Sequence, residues 1–452
     1  MAEEDLRRGL KERHVRMIAI GGTIGVGLFL GSATAIQKAG PGLVVSYAIG
    51  GLAMFFIMRA LGELLLYRPV SGSFASYAEE FAGPWAGFTT GWSYWFMWVA
   101  IGMAEITAVG VYVHDWFPGI PQWVPALITL GLLFIANLIT VKAFGETEFW
   151  FAMVKVLAIA AVMVAGMAII VFKFGDLGKT GSFSNLWTQG GFFPFGALGV
   201  FLPLQMVMFA YQGLELIGIS AGETVNPKQV LPRVINSVLY WMLVLYIGAL
   251  LIIMSLVPWK QLSLETSPFV LVFEKMGIPS AAGIINFVVI TAAASSCNSG
   301  LFSMGRMLHS LARVGQAPRA FGKVNKQSVP AAGITASAMI MLIGVALNYL
   351  VPERVFICVT SISLVGALWT WALIVIAHLG YRKAVAAGTA HAVGYRMPGS
   401  PYTNWLVIAF LILVAMLLNL NEDTRVALYV APVWFIILTI GYQAVKREAK
   451  AL

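Results

Sequence analysis

Apolar residues recur along the chain in runs of roughly twenty, each closed by a short charged or turn-forming segment, and about 20 apolar residues make one helix long enough to cross a bilayer. The runs lie at 17–37, 42–66, 84–113, 123–141, 147–172, 194–220, 232–257, 280–305, 330–350, 354–378, 403–420 and 424–445. They predict an all-α membrane protein with twelve transmembrane helices. The connections carry turn chemistry, as in His114-Asp115-Trp116-Phe117-Pro118-Gly119-Ile120-Pro121. The segment 73–81 is amphipathic and is predicted to lie on the membrane surface or beneath the bundle. Residues 1–16 are charged. No apolar stretch with a small-residue cleavage site stands before the first run, so no cleaved signal peptide is expected.

Composition agrees. Of 452 residues, 59% are hydrophobic and 11% charged, against roughly 45–50% and 25% in soluble domains. Too little charge is present to cover a water-facing surface, which excludes a soluble enzyme, and too little polarity for a disordered chain. A net charge of +9 would suggest nucleic acid in a soluble protein. In a membrane protein the sidedness of lysine and arginine matters more, and no nucleic-acid partner is expected. With both termini cytoplasmic, 21 of the 29 lysines and arginines fall inside, seven fall outside and Lys155 lies within a span. This bias predicts an even number of spans. It makes 1–16 a cytoplasmic segment, 173–193 an extracellular loop, 379–402 a cytoplasmic loop, 403–445 the last two spans and 446–452 a cytoplasmic tail. Cys297 and Cys358 lie in apolar runs and are expected to be packing residues.

A helix in lipid must satisfy its own backbone, so unwound backbone at membrane depth lines a polar cavity. The first run reads Ile20-Gly21-Gly22-Thr23-Ile24-Gly25-Val26-Gly27-Leu28-Phe29-Leu30-Gly31, with five glycines. Two readings are open: close helix packing through glycine, or a break. The sixth run contains Phe209-Ala210-Tyr211-Gln212-Gly213-Leu214-Glu215, a glycine between an amide and an acid, which points to a break or a polar pocket. Transporters built from inverted repeats place discontinuous helices at corresponding positions of their halves. A resumed half-helix offers unpaired N–H groups and a positive dipole end, which suit a carboxylate. The carbonyls ending the preceding half suit an ammonium. Together they match a zwitterion, an amino acid, and the Thr23 hydroxyl can join either interaction.

Polar residues inside the runs mark further candidates. Lys155 is either a lysine snorkelling to the interface or a buried amine that titrates or ties helices together. Glu105 and Glu215 are costly unless paired, protonated or wetted; each is either a proton carrier or a protonated acid in one interhelical hydrogen bond. Ser295, Ser296 and Asn298 line a substrate path or form a close-packing face, and Ser361 and Ser363 carry the same alternatives. Arg59 and Glu63 are spaced for an i,i+4 pair. None of the five histidines has metal-ligand spacing, and no P-loop or nucleophile elbow occurs, so no metal, cofactor or enzymatic activity is expected.

The glycine-rich stretch, preceded by Arg13-His14-Val15-Arg16, resembles the opening of the amino acid permeases of the amino acid–polyamine–organocation superfamily. Met58-Arg59-Ala60-Leu61-Gly62-Glu63, Phe144-Gly145-Glu146-Thr147-Glu148-Phe149-Trp150-Phe151 and Ala221-Gly222-Glu223-Thr224-Val225-Asn226-Pro227 agree with it. The resemblance implies a LeuT-type fold: an inverted repeat of five plus five helices, here 17–172 and 194–378, then two more. It also implies proton-coupled symport across a bacterial cytoplasmic membrane, driven by the proton gradient without a cofactor. It places the substrate carboxylate at Thr23, Ile24, Gly25, Val26 and Gly27, and the amino group at Phe209, Ala210 and Tyr211 beside Gly213, with Phe209 resembling a closing aromatic. Lys155 resembles the amine that fills the second sodium site of sodium-driven relatives, which joins it to Glu105 and Glu215 as proton-coupling candidates. Leu204-Gln205-Met206-Val207-Met208-Phe209-Ala210-Tyr211 resembles the proline permeases, and Ala294-Ser295-Ser296-Cys297-Asn298-Ser299-Gly300 the D-serine/D-alanine/glycine permeases. Gln212 stands where many relatives have a small or apolar residue. The expected substrate is a small neutral amino acid of the proline, alanine, serine or glycine class, D-enantiomers included, moved by alternating access. The alternatives are a permease for GABA or an aromatic amino acid, and a non-transporting amino acid sensor, which would need an output domain that residues 446–452 do not supply.

Overall fold

The computed structural model describes residues 9–70, 72–139, 141–262, 267–275, 279–420 and 422–451. Arg7 and Arg8 of the head, and the side chains of Lys142 and Lys450, lie outside what is described. Every predicted apolar run carries helix. Among the described residues nine helical stretches are long and apolar enough to cross a membrane. The runs without such a helix of their own are the first, fourth and sixth. The fourth is the single helix Trp123–Asn137. The other two are broken, the first into Glu12–Thr23, Val26–Phe29 and Gly31–Ala39 and the sixth into Gly196–Phe201, Leu204–Ala210 and Leu216–Ser220.

Proline at the first helical turn starts several spans, because its missing N–H is unpaired there anyway: Pro84–Trp116, Pro227–Leu256 and Pro352–Ala386. The third span, Pro84–Trp116, is the central one, with 83% of its apolar window buried, whereas the twelfth, Val426–Ala451, has 11% of its window buried and leaves large apolar side chains exposed on the outside of the bundle. The third span packs against the eighth, Pro279–Arg313, and the tenth, Pro352–Ala386. The first half-helix, Glu12–Thr23, lies against the fifth span, Val141–Phe172, the seventh, Pro227–Leu256, and the eighth. The amphipathic segment forms the helix Ser73–Ala82, tucked against the third and tenth spans rather than lying free.

The expected Arg59–Glu63 pair is not formed. Glu63 instead accepts from Arg382 Nη1 at 3.0 Å and from the Met397 N–H at 2.7 Å, and lies 2.9 Å from His378 Nε2. Two of these partners stand on the tenth-span helix Pro352–Ala386 and the third on the loop after it, and together they satisfy a carboxylate too deeply buried for one partner. Arg59 lies over the Tyr395 ring at 3.8 Å and donates to the Arg396 carbonyl.

At the end of the bundle where the first span begins, four elements are tied together. Gly9 and Leu10 donate to the Glu223 carbonyl, both at 3.0 Å, and Val225 donates to the Leu10 carbonyl at 2.9 Å. The Glu223 side chain pairs with Arg306 Nε of the eighth span at 3.0 Å, both side chains being buried. The Arg306 guanidinium covers the Phe302 ring, which stacks on Phe144 of the fifth span at 4.0 Å. Arg306→Met would strand a buried carboxylate, at a cost of about 3–5 kcal/mol. Thermal unfolding in detergent should therefore show a clearly lowered midpoint for Arg306→Met, with part of the loss recovered in the double variant that adds Glu223→Gln. An unchanged midpoint would contradict a structural role for the pair.

Candidate functional site

The glycine-rich first run serves both readings at once. The helix Glu12–Thr23 stops, Ile24 (φ −77°, ψ 86°) and Gly25 (φ −124°, ψ −155°) leave helical geometry, and helix resumes at Val26. In the sixth span the break is the turn 211–215, where Gly213 has φ +103°, a conformation that favours glycine. The two breaks meet backbone to backbone. A Cβ on Gly213 would stand 2.7 Å from the Gly22 carbonyl, and one on Gly27 would stand 2.8 Å from Ala210 Cα. Only glycine permits that approach.

Breaking a helix frees carbonyls, and the structure shows where two of them go. The Tyr246 hydroxyl, from the seventh span, lies 3.0 Å from the Thr23 carbonyl and 2.9 Å from the Ala210 carbonyl. One proton is thus shared between the ends of both half-helices. The Thr23 hydroxyl itself donates to Ala19, one turn back, at 2.7 Å. On the other side of the first break, the Val26 N–H points to Glu105 Oε2 at 3.4 Å. The N-terminus of the resumed half-helix therefore already faces a carboxyl group, supplied by the third span. Ser296 lies beside Glu105 and donates to the Gly22 carbonyl at 3.1 Å.

Lys155 is fully buried and donates to the Gly21 carbonyl at 2.5 Å, so it ties the fifth span to the first and does not snorkel. The structure adds a residue that the sequence reading missed. Glu148, also fully buried, accepts from Ser295 Oγ at 2.5 Å and from Asn298 Nδ2 at 3.4 Å, and Asn298 in turn accepts from Asn137 Nδ2 at 2.6 Å. Glu148 faces the Cα of Gly21, whose carbonyl holds Lys155. Lys155 interacts electrostatically with both Glu148 and Glu105. The spacing of 148 and 155 is two helical turns and puts both on one face, a signal hidden by starting the run at 147.

Thus Glu105, Lys155, Ser295, Ser296 and Asn298 gather around the first break, with Ser295 and Asn298 turned to Glu148. Glu215 belongs to the second break. It accepts from the Gly213 N–H at 3.1 Å and from Trp371 Nε1 of the tenth span at 3.3 Å, holding the turn in place. Phe209 is buried against Gly27 and meets Phe356 of the tenth span edge-on, ring centres 6.4 Å apart. Among the described residues no group of three or more histidine, cysteine or acidic side chains could hold a metal. What the arrangement offers is N–H groups for an anion, carbonyls for a cation, and three buried ionisable side chains around one of the breaks.

Tyr246 carries a sharp expectation. Tyr246→Phe leaves two buried carbonyls without a donor, a loss of about 1–3 kcal/mol. Detergent-solubilised Tyr246→Phe should unfold at a lower temperature than the parent protein, and an equal midpoint would show that the hydroxyl holds neither carbonyl.

The comparisons fit this geometry. The amino acid permease family model matches residues 14–452. The chain is 52% identical over 440 residues to an uncharacterized amino acid permease, YtnA, of Bacillus subtilis, covering 97% of this chain and 95% of that one. It is 48% identical to a probable threonine/serine transporter, YbxG, of the same organism, covering 98% and 96%. Against the D-serine/D-alanine/glycine transporter of Escherichia coli K12 the identity is 45%, with 100% and 96% covered. A chain matched over nearly its whole length, helical throughout and broken twice at the bundle centre, is a multi-pass membrane transporter rather than an enzyme, and it belongs to the amino acid permease family.

Proposed function

We propose that this protein is a proton-coupled symporter that imports a small neutral amino acid by alternating access. The observation that carries the reading is the pair of breaks. The half-helix N-terminus at Val26, now facing Glu105, and the carbonyls of Thr23 and Ala210, now bridged by Tyr246, offer opposite partial charges to a single zwitterion. The substrate carboxylate takes the place now held by Glu105, at the N–H groups of Val26 and Gly27. Its ammonium takes the carbonyls that Tyr246 now bridges, and Phe209 closes over it. The tight surroundings of Gly27 and Ala210 favour a small side chain, in keeping with relatives named for threonine, serine, D-serine, D-alanine and glycine.

Coupling follows from charge. Two carboxylates cannot share one helix N-terminus at low dielectric without strong repulsion. Glu105 must therefore carry a proton or withdraw when substrate binds, which links proton and substrate occupancy. Lys155 places a fixed amine on the Gly21 carbonyl, where a sodium ion would otherwise be drawn to the exposed backbone. The twelve apolar runs, taken as a LeuT-type arrangement, divide into repeats at 17–172 and 194–378 with two further helices. The proposal has both termini on the cytoplasmic side of a bacterial inner membrane, supported by the threefold excess of lysine and arginine that this orientation gives the inner side.

Uptake by reconstituted proteoliposomes tests this. An inward proton gradient should drive accumulation of serine, alanine or glycine, and Lys155→Ala should abolish it. Normal accumulation by that variant, or accumulation that follows a sodium gradient, would overturn the coupling. Glu105→Gln should keep exchange of labelled for unlabelled substrate across the vesicle while losing accumulation. Full gradient-driven accumulation in that variant would exclude Glu105 as the linking group.

A further inference from the structure

The turn that breaks the sixth span holds one side chain whose hydrogen bonding is half complete. Gln212, 4% exposed, lies two residues beyond the Ala210 carbonyl and one before Gly213. Its backbone N–H is used within the turn, to the Phe209 carbonyl at 3.1 Å. At one end of its amide, Oε1 stands 3.1 Å from Ser363 Oγ of the tenth span. At the other end, Nε2 is buried and meets no partner. A buried amide with an unmade bond is unfavourable, and a ligand that completes it is one way such a group is offset.

The position of the open end is informative. With the substrate α-carboxylate at Val26 and its ammonium at Thr23 and Ala210, the polar side chains that follow in the sixth span are Tyr211, whose hydroxyl is spent on the Tyr47 carbonyl at 2.9 Å, and then Gln212. It belongs to a polar seam between the sixth and tenth spans, continued two turns earlier by Gln205 Nε2 and Ser361 Oγ at 3.5 Å. Three other polar side chains at the breaks are spent: Glu215 on Gly213 and Trp371, Ser296 on Gly22, Thr23 on Ala19. Ser363 also lies 2.7 Å from the Thr360 carbonyl, so its single proton can go either way. If it goes to Thr360, the amide turns, its NH2 donates to Ser363, and the carbonyl oxygen becomes the open end.

We propose that Gln212, oriented by Ser363, is the residue that selects the substrate side chain, and that it selects a hydroxyl. A hydroxyl both donates and accepts, so it completes the open end in either orientation of the amide. The methyl of alanine, the hydrogen of glycine and the ring of proline complete neither. The inference rests on the proposed transport function and sharpens it to the hydroxyl amino acids, with serine as the probe.

The test is the ratio of kcat/KM for serine over alanine in proteoliposomes. The parent protein should prefer serine by about tenfold or more, because a site built to bond a hydroxyl rejects the analogue lacking it. Gln212→Leu should bring the ratio to near one, mainly by raising KM for serine while alanine uptake is largely kept. Ser363→Ala, which leaves the amide in place but unoriented, should give an intermediate ratio and guards against misfolding of the first variant. A parent protein that accumulates alanine and glycine but does not prefer serine would overturn the inference alone. So would a Gln212→Leu variant that keeps the preference or loses both substrates equally. Failure of the parent protein to move any small neutral amino acid would instead sink the transport function, and the inference with it.

Discussion

Everything at the centre of this bundle depends on one constraint: backbone groups released in the middle of a membrane must find partners other than water. Two spans are unwound, and each exposes carbonyls at the end of one half-helix and N–H groups at the start of the next. The fold meets this by pressing the breaks together through Gly22, Gly27 and Gly213, and by supplying polar side chains, three from intact neighbouring spans and one, Glu215, from the broken sixth span itself. Tyr246 serves the carbonyls of both, Glu105 the N–H at Val26, Lys155 the carbonyl of Gly21, and Glu215 the N–H of Gly213. A region that needs so much external help to stay unwound is costly to keep. In the proposed transport cycle the return on that cost is a site whose partners can be exchanged for those of a substrate.

The ionisable side chains around the first break follow from the same constraint. Lys155 interacts electrostatically with two buried acids, Glu148 and Glu105. Two carboxyl groups and one ammonium leave a charge uncompensated unless the cluster also holds a proton, and an uncompensated charge is what a membrane interior disfavours most. Binding a carboxylate at Val26 adds a further negative charge to this group. On the proposed account, the arrival of the substrate carboxylate is linked to a proton because two negative charges would otherwise meet at Val26. The Glu223–Arg306 pair stands apart from this logic. It is matched one to one and ties the sixth and eighth spans to the start of the chain.

Much of this was legible in the sequence because membrane physics is local. Apolar runs located the helices, and the density of glycine in 20–31 and the Gly213 and Glu215 pair located the breaks. Other features depend on which faces meet, which no single segment states. Lys155 could be a snorkelling or a buried residue from its run alone; the approach of the Gly21 carbonyl decides it. Arg59 and Glu63 are well spaced for a pair, yet the end of the tenth span and the loop after it, more than 300 residues away in sequence, supply better partners to Glu63. Glu148 stands at the boundary of a run, where acids are ordinary, so its sequence position carries no sign of its burial. Tyr246 carries no mark that distinguishes it from the chain's other tyrosines, and its role exists only where two distant carbonyls converge.

The most direct measurement of the account is a structure of the protein with serine bound. It should show the serine carboxylate at the Val26 and Gly27 N–H groups, its ammonium at the Thr23 and Ala210 carbonyls, and the Glu105 carboxyl moved off Val26. Serine bound elsewhere, with Glu105 still at Val26 and Tyr246 still bridging both carbonyls, would contradict the claim that the two breaks form a single amino acid site.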